Sequence, residues 1–282
     1  MNAPDPSLFA PRRTPMDVAG WVRYFQLAEI PVLSSTAAAI EDMRENEDAV
    51  DARMLADVIS ADPLMTLKLL AYTAQLQRSR RQTDIETVTE AFVLIGITPF
   101  FRDFGPQPTI EQHLDGQPEA LQGLRDVVQR AHRAAKFALS FAVHRFDRDA
   151  SVIHEAALLH DFAELLLWCH APVLAMELSR LQRRDPTLRS VTAQRAVLGV
   201  ALADLQLALM RTWRLHDLLV KTADERHAEH PSVKTVALAV RLARHSAHGW
   251  DDAALGDDFS EAANLLNLSL VATRQLVDDI GV

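Results

Sequence analysis

The sequence AALLHDFAELLLW, residues 156–168, is apolar at almost every position except His160, Asp161 and Glu164. A helix that is apolar all round is typical of a buried core, and the pattern predicts one helix over residues 150–168. Burying a His-Asp pair in such a helix costs free energy unless both side chains have partners. A divalent metal is one candidate partner, because imidazole and carboxylate are common metal ligands, and His132 could supply a further imidazole. Hydrogen bonds to the backbone or to neighbouring side chains are the alternative.

The rest of the chain carries the same kind of pattern. Apolar residues recur at three- and four-residue spacing almost everywhere, and only 9 of the 282 residues are glycine. Capping residues agree with helices: Asp17, Asp51 and Thr87 precede periodic segments, and Asp62-Pro63 places a cap directly before a first-turn proline. Gly96 is predicted to end a helix in a left-handed conformation. The sequence therefore predicts an all-α, multi-helical bundle.

Proline and glycine divide this bundle into two helical blocks. Residues 106–117 contain Pro106, Pro108 and Gly116 among polar residues and are the predicted linker. Residues 1–27 form an N-terminal segment with one helix, residues 28–105 a first helical block, and residues 118–282 a second block.

Charge and cysteine content exclude several classes of function. The formal net charge is −9, with 29 Lys and Arg against 38 Asp and Glu, which argues against nucleic acid as a partner. Cys169 is the only cysteine, so an internal disulfide and a multi-cysteine zinc site are excluded, and Cys169 is predicted to be a buried thiol. No signal peptide or membrane-spanning segment is apparent. We expect a cytoplasmic protein that does not bind membranes.

Several segments on both sides of residues 156–168 resemble the HDOD family, a branch of the HD superfamily of metal-dependent phosphohydrolases. The Leu-Leu-His-Asp core of that family resembles residues 158–161, and its leucine-rich helix that begins at Asp-Pro resembles residues 62–74. Other similar segments follow in the expected order: 30–33, 55–59, 90–96, 198–199, 213–215 and 239–243. The resemblance covers about residues 28–250 and implies the all-α HDOD fold.

The departures from the catalytic pattern concern the metal ligands and the phosphate site. Catalytic HD enzymes continue His-Asp with Gly-Lys, where this chain has Ala163-Glu164, and an anion at that position is expected to repel phosphate. The later ligands of those enzymes fall at Leu202, at Arg226-His227 and at Arg244. Leucine cannot bind a metal, and arginine places a positive charge where a cation would have to bind.

The resemblance leaves four remnants of a metal site: His132, His160, Asp161 and His227. It therefore implies a non-catalytic module of bacterial signal transduction that acts by binding proteins, with no cofactor expected. The alternative is a metal-dependent phosphohydrolase with an atypical site, in which Asp204 or Asp224 supplies a fourth ligand.

Three other features of the sequence bear on binding. The basic residues Arg78, Arg80 and Arg81 suggest a third, weaker hypothesis, a nucleic-acid or nucleotide site. His245 and His248 share a helix face, but without an acidic residue close in sequence they are predicted to be surface residues. Phe100, Phe101 and Phe104 are predicted either to form an exposed patch for a protein partner or a homo-oligomer, or to pack against the linker.

Overall fold

A computed structural model describes residues 15–77, 85–185, 187–247 and 249–280 of the chain. Within these ranges the chain folds into α-helices joined by short turns, and the only β-type pairing is an isolated bridge between Val32 and Thr109. The all-α, multi-helical fold class predicted from the sequence is confirmed.

The helices fall into two sets along the chain. The first set is α1 Val18–Leu27, α2 Ser34–Glu45, α3 Ala52–Ser60, α4 Pro63–Gln77, α5 Val88–Ile95, α6 Ile97–Asp103 and α7 Ile110–His113. The second set is α8 Pro118–His144, α9 Ala150–Leu158, α10 Phe162–His170, α11 Pro172–Arg184, α12 Ser190–Leu198, α13 Leu202–Trp213, α14 Asp217–Thr222, α15 Pro231–His245, α16 Leu255–Leu266 and α17 Leu270–Asp279. Below, α2–α6 are the N-terminal block and α8–α17 the C-terminal block.

Short polar side chains begin many of these helices, as the sequence predicts. Asp17, Asp51 and Thr87 each accept a hydrogen bond from a backbone N–H in the first turn of α1, α3 and α5. The fully buried Asp62 does the same for α4 and also accepts from Leu33 N at 2.7 Å, so it joins two elements. Gly96 ends α5 with φ 81° and ψ 162°, a conformation open to glycine but outside the predicted left-handed helical region.

The predicted helix over residues 150–168 is interrupted, and this prediction was wrong. The chain turns at residues 159–161, between α9 and α10, so that His160 and Asp161 lie in a turn and not within a helix. The apolar residues on both sides are buried in one core, which is why the pattern looks continuous in sequence. Because of this turn, the side chains of His160 and Asp161 face the same cavity.

Two apolar cores hold the molecule together. The N-terminal core contains Ile40, Leu55, Met65 and Leu69 among other residues, and the C-terminal core surrounds α8 and α10. Helix α4 contributes to both cores, since Met65 and Leu69 lie in the first core while Leu67 and Leu70 lie in the second.

The aromatic residues of α6 belong to the N-terminal core. Phe100 is 0% exposed, Phe101 4% and Phe104 3%, and Phe100 stacks on Phe104 with ring centroids 5.0 Å apart. An exposed patch made of these residues is therefore excluded. The rings pack within the N-terminal core, on Tyr72 of α4 and Phe92 of α5, and the predicted packing against the linker is not what buries them. The apolar spacing of a short helix does not reveal whether a neighbouring element covers it.

Helix α1 packs against the C-terminal block although it is the first helix in the chain. Trp21 Nε1 donates to Leu198 O at 3.0 Å, and Tyr24 Oη donates to His170 O at 2.7 Å. The predicted linker, residues 106–117, is also packed: Ile110 is fully buried, and its N–H donates to Val32 O at 2.8 Å. Both segments thus contribute to the contact between the blocks.

Ionisable side chains also join the two blocks. The Val88 N–H at the start of α5 donates to both carboxylate oxygens of the buried Glu155 on α9, at 2.9 and 3.2 Å. Next to it, Glu86 Oε1 lies 2.7 Å from His216 Nε2. On α8, His132 hydrogen-bonds the backbone of Ala61. Polar contacts at the start of α5 and at the turn between α3 and α4 therefore fix the position of the N-terminal block relative to the C-terminal block.

Among the described residues, no single helix has both the length and the apolar composition needed to cross a bilayer.

We expect Gly123→Ala to destabilise the protein. Gly123 lies in α8 under Trp168, and a Cβ at this position would lie 2.3 Å from the Cη2 atom of Trp168, far inside contact distance. Overpacking of this kind costs about 1–3 kcal/mol, more than the helix propensity that alanine gains. Urea denaturation measures the loss. The matched control is Gly256→Ala in α16, where no atom lies within 4 Å and stability should be unchanged or higher.

We expect Glu155→Gln to flatten the dependence of stability on pH. Burial raises the pKa of Glu155 from its ordinary 4.5 to about 8, against the hydrogen bond from Val88 and with a smaller contribution from Glu90. Because folded Glu155 holds its proton more tightly than unfolded Glu155, its contribution to stability is present below about pH 4.5 and is lost as the pH rises towards 8. The glutamine stays neutral and can still accept from Val88.

The measurement is the free energy of unfolding of both proteins between pH 5 and pH 8, and the difference between wild type and Glu155→Gln isolates this one carboxyl. The variant should gain stability relative to wild type as the pH rises. Replacing the exposed Glu119 by Gln is the control, and equal pH slopes for wild type and Glu155→Gln would contradict the prediction.

Candidate functional site

The His160-Asp161 pair lies in the turn between α9 and α10 and faces a cleft. His160 Nδ1 lies 2.9 Å from Asp161 Oδ1, and both side chains are mostly buried. Gln206 on α13 fixes the turn, since its amide donates to the His160 carbonyl and accepts from Ala163 N at 3.3 Å. The pair is therefore held in place from the backbone as well as through its side chains.

Two arginines approach the carboxylate of Asp161 from the other side. Arg130 on α8 donates from Nε to Asp161 Oδ2 at 3.2 Å, and one terminal nitrogen of Arg244 on α15 lies 3.6 Å from the same oxygen. Burial alone would raise the pKa of Asp161, but the hydrogen bond from His160 and the charges of Arg130 and Arg244 outweigh it and hold that pKa well below its usual range. Asp161 is ionised and carries two cationic neighbours.

Arg130 binds a second carboxylate at the same time. Its terminal nitrogen donates to Glu164 Oε2 at 2.6 Å, so this one guanidinium pairs with both acids of the turn and of α10. Burial opposes the charge of Arg130, but Glu164 and Asp161 outweigh burial and raise its pKa further. The charge of Glu164, which the sequence suggested would repel phosphate, is compensated by Arg130.

His132 and His227, the other predicted metal ligands, make their contacts away from the His160-Asp161 pair. His132 hydrogen-bonds the backbone of Ala61 at the block interface, and burial lowers its pKa. His227 lies in the 3-10 turn after α14, next to Asp224, and its buried Nδ1 has no hydrogen-bond partner. Of the four residues, the structure places His160 and Asp161 in contact.

Neither proposed fourth ligand joins the His-Asp pair: Asp204 does not line the cleft, and Asp224 is paired with arginines. Asp204 is exposed on α13, while Asp224 Oδ2 lies 2.5 Å from Arg226 and 3.3 Å from Arg211. The hydrogen bond from Arg226, against a smaller effect of burial, lowers the pKa of Asp224. In the part of the chain that the structure describes, no three His, Cys, Asp or Glu side chains group as a metal site would require. The donors present at Asp161 do not fit a divalent metal, because guanidinium groups occupy its free side.

The cleft itself is large, with a volume of ≈ 680 Å³. His160, Asp161 and Glu164 lie at one end, α12 and α13 form one wall, and α15 forms another. Such volumes are typical of small-molecule sites. A cleft of the size of a small-molecule site therefore lies over the His-Asp pair.

Comparison with known proteins identifies the family. The sequence model of the HDOD domain matches residues 30–229, which is most of the chain. The chain belongs to the HDOD family. No functionally curated protein matches it.

Two solved structures show the same fold as this HDOD protein. The MmoQ response regulator from Methylococcus capsulatus is 21% identical, with 89% of this chain and 98% of that chain covered and a TM-score of 0.67. A virulence factor from Campylobacter jejuni is 16% identical, with 94% and 98% covered and a TM-score of 0.63.

The two arginines at positions where the resemblance implies metal ligands pair with carboxylates of the cleft. Arg226 binds Asp224, and Arg244 lies beside Asp161. Arg130 and Gln206 were not predicted, because their partners lie more than 30 residues away in sequence and neither residue type stands out alone. The available signal for Arg130 was its place beside the apolar residues Val127, Val128 and Ala131, which are buried on α8.

The structure contradicts the prediction for His245 and confirms the prediction for Cys169. His245 is not a free surface residue: its Nδ1 lies 2.5 Å from Oδ2 of the buried Asp258, an acid 13 residues further along the chain, so that prediction was wrong. Cys169 is buried, as predicted, and burial raises the pKa of its thiol. Arg78, Arg80, Arg81 and His248 lie outside the described residues.

We expect Arg130→Met to be strongly destabilising, since it leaves Asp161 and Glu164 without their shared partner. Breaking a buried ion pair on one side costs roughly 3 kcal/mol. The control is Arg180→Met on α11, which removes an exposed pair with Glu119 and should cost under about 1 kcal/mol. Guanidinium denaturation of the three proteins gives the comparison, and similar small losses for both variants would show that Arg130 does not compensate the acids.

Proposed function

We propose that this HDOD protein is a non-catalytic regulatory component of a signal-transduction pathway and acts by binding other proteins in the cytoplasm. The observation that carries the proposal is the pairing of Asp161 with Arg130 and Arg244. Arginine stays protonated and has no acceptor atoms, so it can neither bind a metal nor activate a water molecule.

Catalysis by an HD-type site needs a metal-activated water and a cation for the phosphate. Here the carboxylate that would bind the metal is ionised but already compensated, and Leu202, at the position of a later ligand, contributes an apolar side chain to the cleft wall. A divalent ion would have to displace two guanidinium groups. The alternative of an atypical phosphohydrolase is therefore less well supported.

The signalling role rests on the family and on the shared fold. MmoQ, which has the same fold, is described as a response regulator. The contacts at Val88, Glu86 and Ala61 supply a place where an input could alter the packing of the two blocks. A change of this packing would expose or cover protein-binding surface, which is the mechanism we propose.

The protein is expected to hold no stoichiometric metal when it is purified without chelator, and to hydrolyse no phosphomonoester or phosphodiester with Mn²⁺, Mg²⁺, Fe²⁺ or Ni²⁺ present. Elemental analysis and a substrate panel measure both properties. Stoichiometric metal that is lost in His160→Ala and Asp161→Ala variants, with turnover lost in parallel, would establish the phosphohydrolase alternative instead.

A matched gain-of-function variant provides the positive control. Leu202→His, Arg226→His and Arg244→Asp together restore the ligand types of the catalytic relatives. Arg130 still pairs with Asp161 in this variant. Binding of Mn²⁺ in calorimetry would therefore show that Leu202, Arg226 and Arg244 are what excludes the metal, and the absence of binding would show that Arg130 is sufficient to exclude it.

A further inference from the structure

The walls of the His-Asp cleft differ in character. One part is apolar and is formed by Val191, Leu202, Ala203, Ala223, Val233 and Ala237. The other part carries cations, since Lys234, Arg241 and Arg244 all line the cleft from α15. Their spacings of seven and three residues place the three side chains on one face of that helix.

Arg244 is the least tightly paired of these three cations. Its single ion pair within the described residues is the 3.6 Å approach to Asp161, without a hydrogen bond, and its side chain is 51% exposed. Asp161 does not depend on it, because Arg130 and His160 both hydrogen-bond the same carboxylate. The guanidinium of Arg244 can therefore bind another anion while Asp161 remains compensated.

Five acids also line the cleft, and each of them pairs with an arginine or a lysine: Asp161, Glu164, Asp224, Glu229 and Glu261. Lys234 pairs with Glu229, whose side chain is 91% exposed, and exposed pairs of this kind contribute little and are easily exchanged. Arg241 is held by the buried Asp258, with Nε 3.2 Å from Oδ1. Glu164, the nearest acid to the pair, is engaged by Arg130.

We propose that this cleft is a binding site for a small organic anion, with a carboxylate or phosphate head on Arg244 beside Lys234 and an apolar portion against the α12–α13 wall. The volume of ≈ 680 Å³ suits a ligand of this size. A recessed site with one half-exposed guanidinium suits a small molecule better than a flat protein surface. The inference rests on the proposed non-catalytic function in one respect: the ligand is bound and is not hydrolysed.

Calorimetry on the full chain tests the site with three probes: octanoate, adenosine monophosphate and inorganic phosphate. Octanoate or adenosine monophosphate should bind with a dissociation constant below about 1 mM, and inorganic phosphate more weakly because it has no apolar portion. Charge-assisted hydrogen bonds of this type are worth enough that Arg244→Ala should weaken binding at least about tenfold. Arg244→Lys should fall in between.

The matched control is Arg180→Ala, which removes an arginine of similar exposure, 53%, that lies outside the cleft. Its affinity should stay within about twofold of the wild type. Which of octanoate and adenosine monophosphate binds distinguishes a carboxylate ligand from a phosphate ligand. Comparable melting temperatures of the variants establish that each is folded.

The inference is overturned if neither organic probe binds up to about 10 mM, which corresponds to less than 3 kcal/mol. It is also overturned if Arg244→Ala binds as well as wild type, or if inorganic phosphate binds as tightly as adenosine monophosphate. Slow hydrolysis of bound adenosine monophosphate would contradict the proposed non-catalytic role but not the site, so the two failures are distinguishable.

Discussion

The ionised carboxylate of Asp161 lies in a turn between two buried helices, and the arrangement of the cleft depends on how that charge is compensated. An uncompensated charge in such a position costs several kcal/mol. Arg130 provides the compensation from the middle of α8, and the same guanidinium binds Glu164 in the first turn of α10. Two elements of the C-terminal block are thereby fixed to the long central helix, and the orientation of His160 follows from its bond to Asp161. The turn is ordered by charge as much as by apolar packing.

Replacing a bound metal by arginine changes what such a turn can do. A divalent ion is exchangeable, has open coordination positions and acidifies a bound water, whereas a guanidinium is covalently attached and only donates hydrogen bonds. At Asp161 and again at Asp224, carboxylates of the cleft pair with arginines at positions where the resemblance to HD enzymes implies metal ligands. A recess of ≈ 680 Å³ lies over Asp161, so under the proposed non-catalytic function the cleft serves binding and not hydrolysis.

Local features of this protein could be predicted from its sequence, and features that depend on distant partners could not. Caps such as Asp62 and Thr87 were predictable, because the hydrogen-bonded atoms lie within three residues of the cap. The break at residues 159–161 was not, since apolar residues continue across it and burial on both sides gives one uninterrupted pattern. The burial of Phe100 depends on the packing of α5 and α6 against each other, and the role of Arg130 depends on acids more than 30 residues away. In each case the missing information was which elements meet in three dimensions.

Helix α4 is the element through which a change at the cleft would reach the N-terminal block. Opposite faces of this one helix enter the two cores, and both α10 and α13 pack against it. Helix α10 follows the turn that contains Asp161, and helix α13 contains Gln206. Two of the elements that line the cleft are therefore in direct contact with α4. Close packing resists local deformation, so under the proposed mechanism a shift of α10 would be passed to α4 through these contacts. The ionisable contacts at Glu155 and His216 join the blocks at a second place and would oppose such a shift.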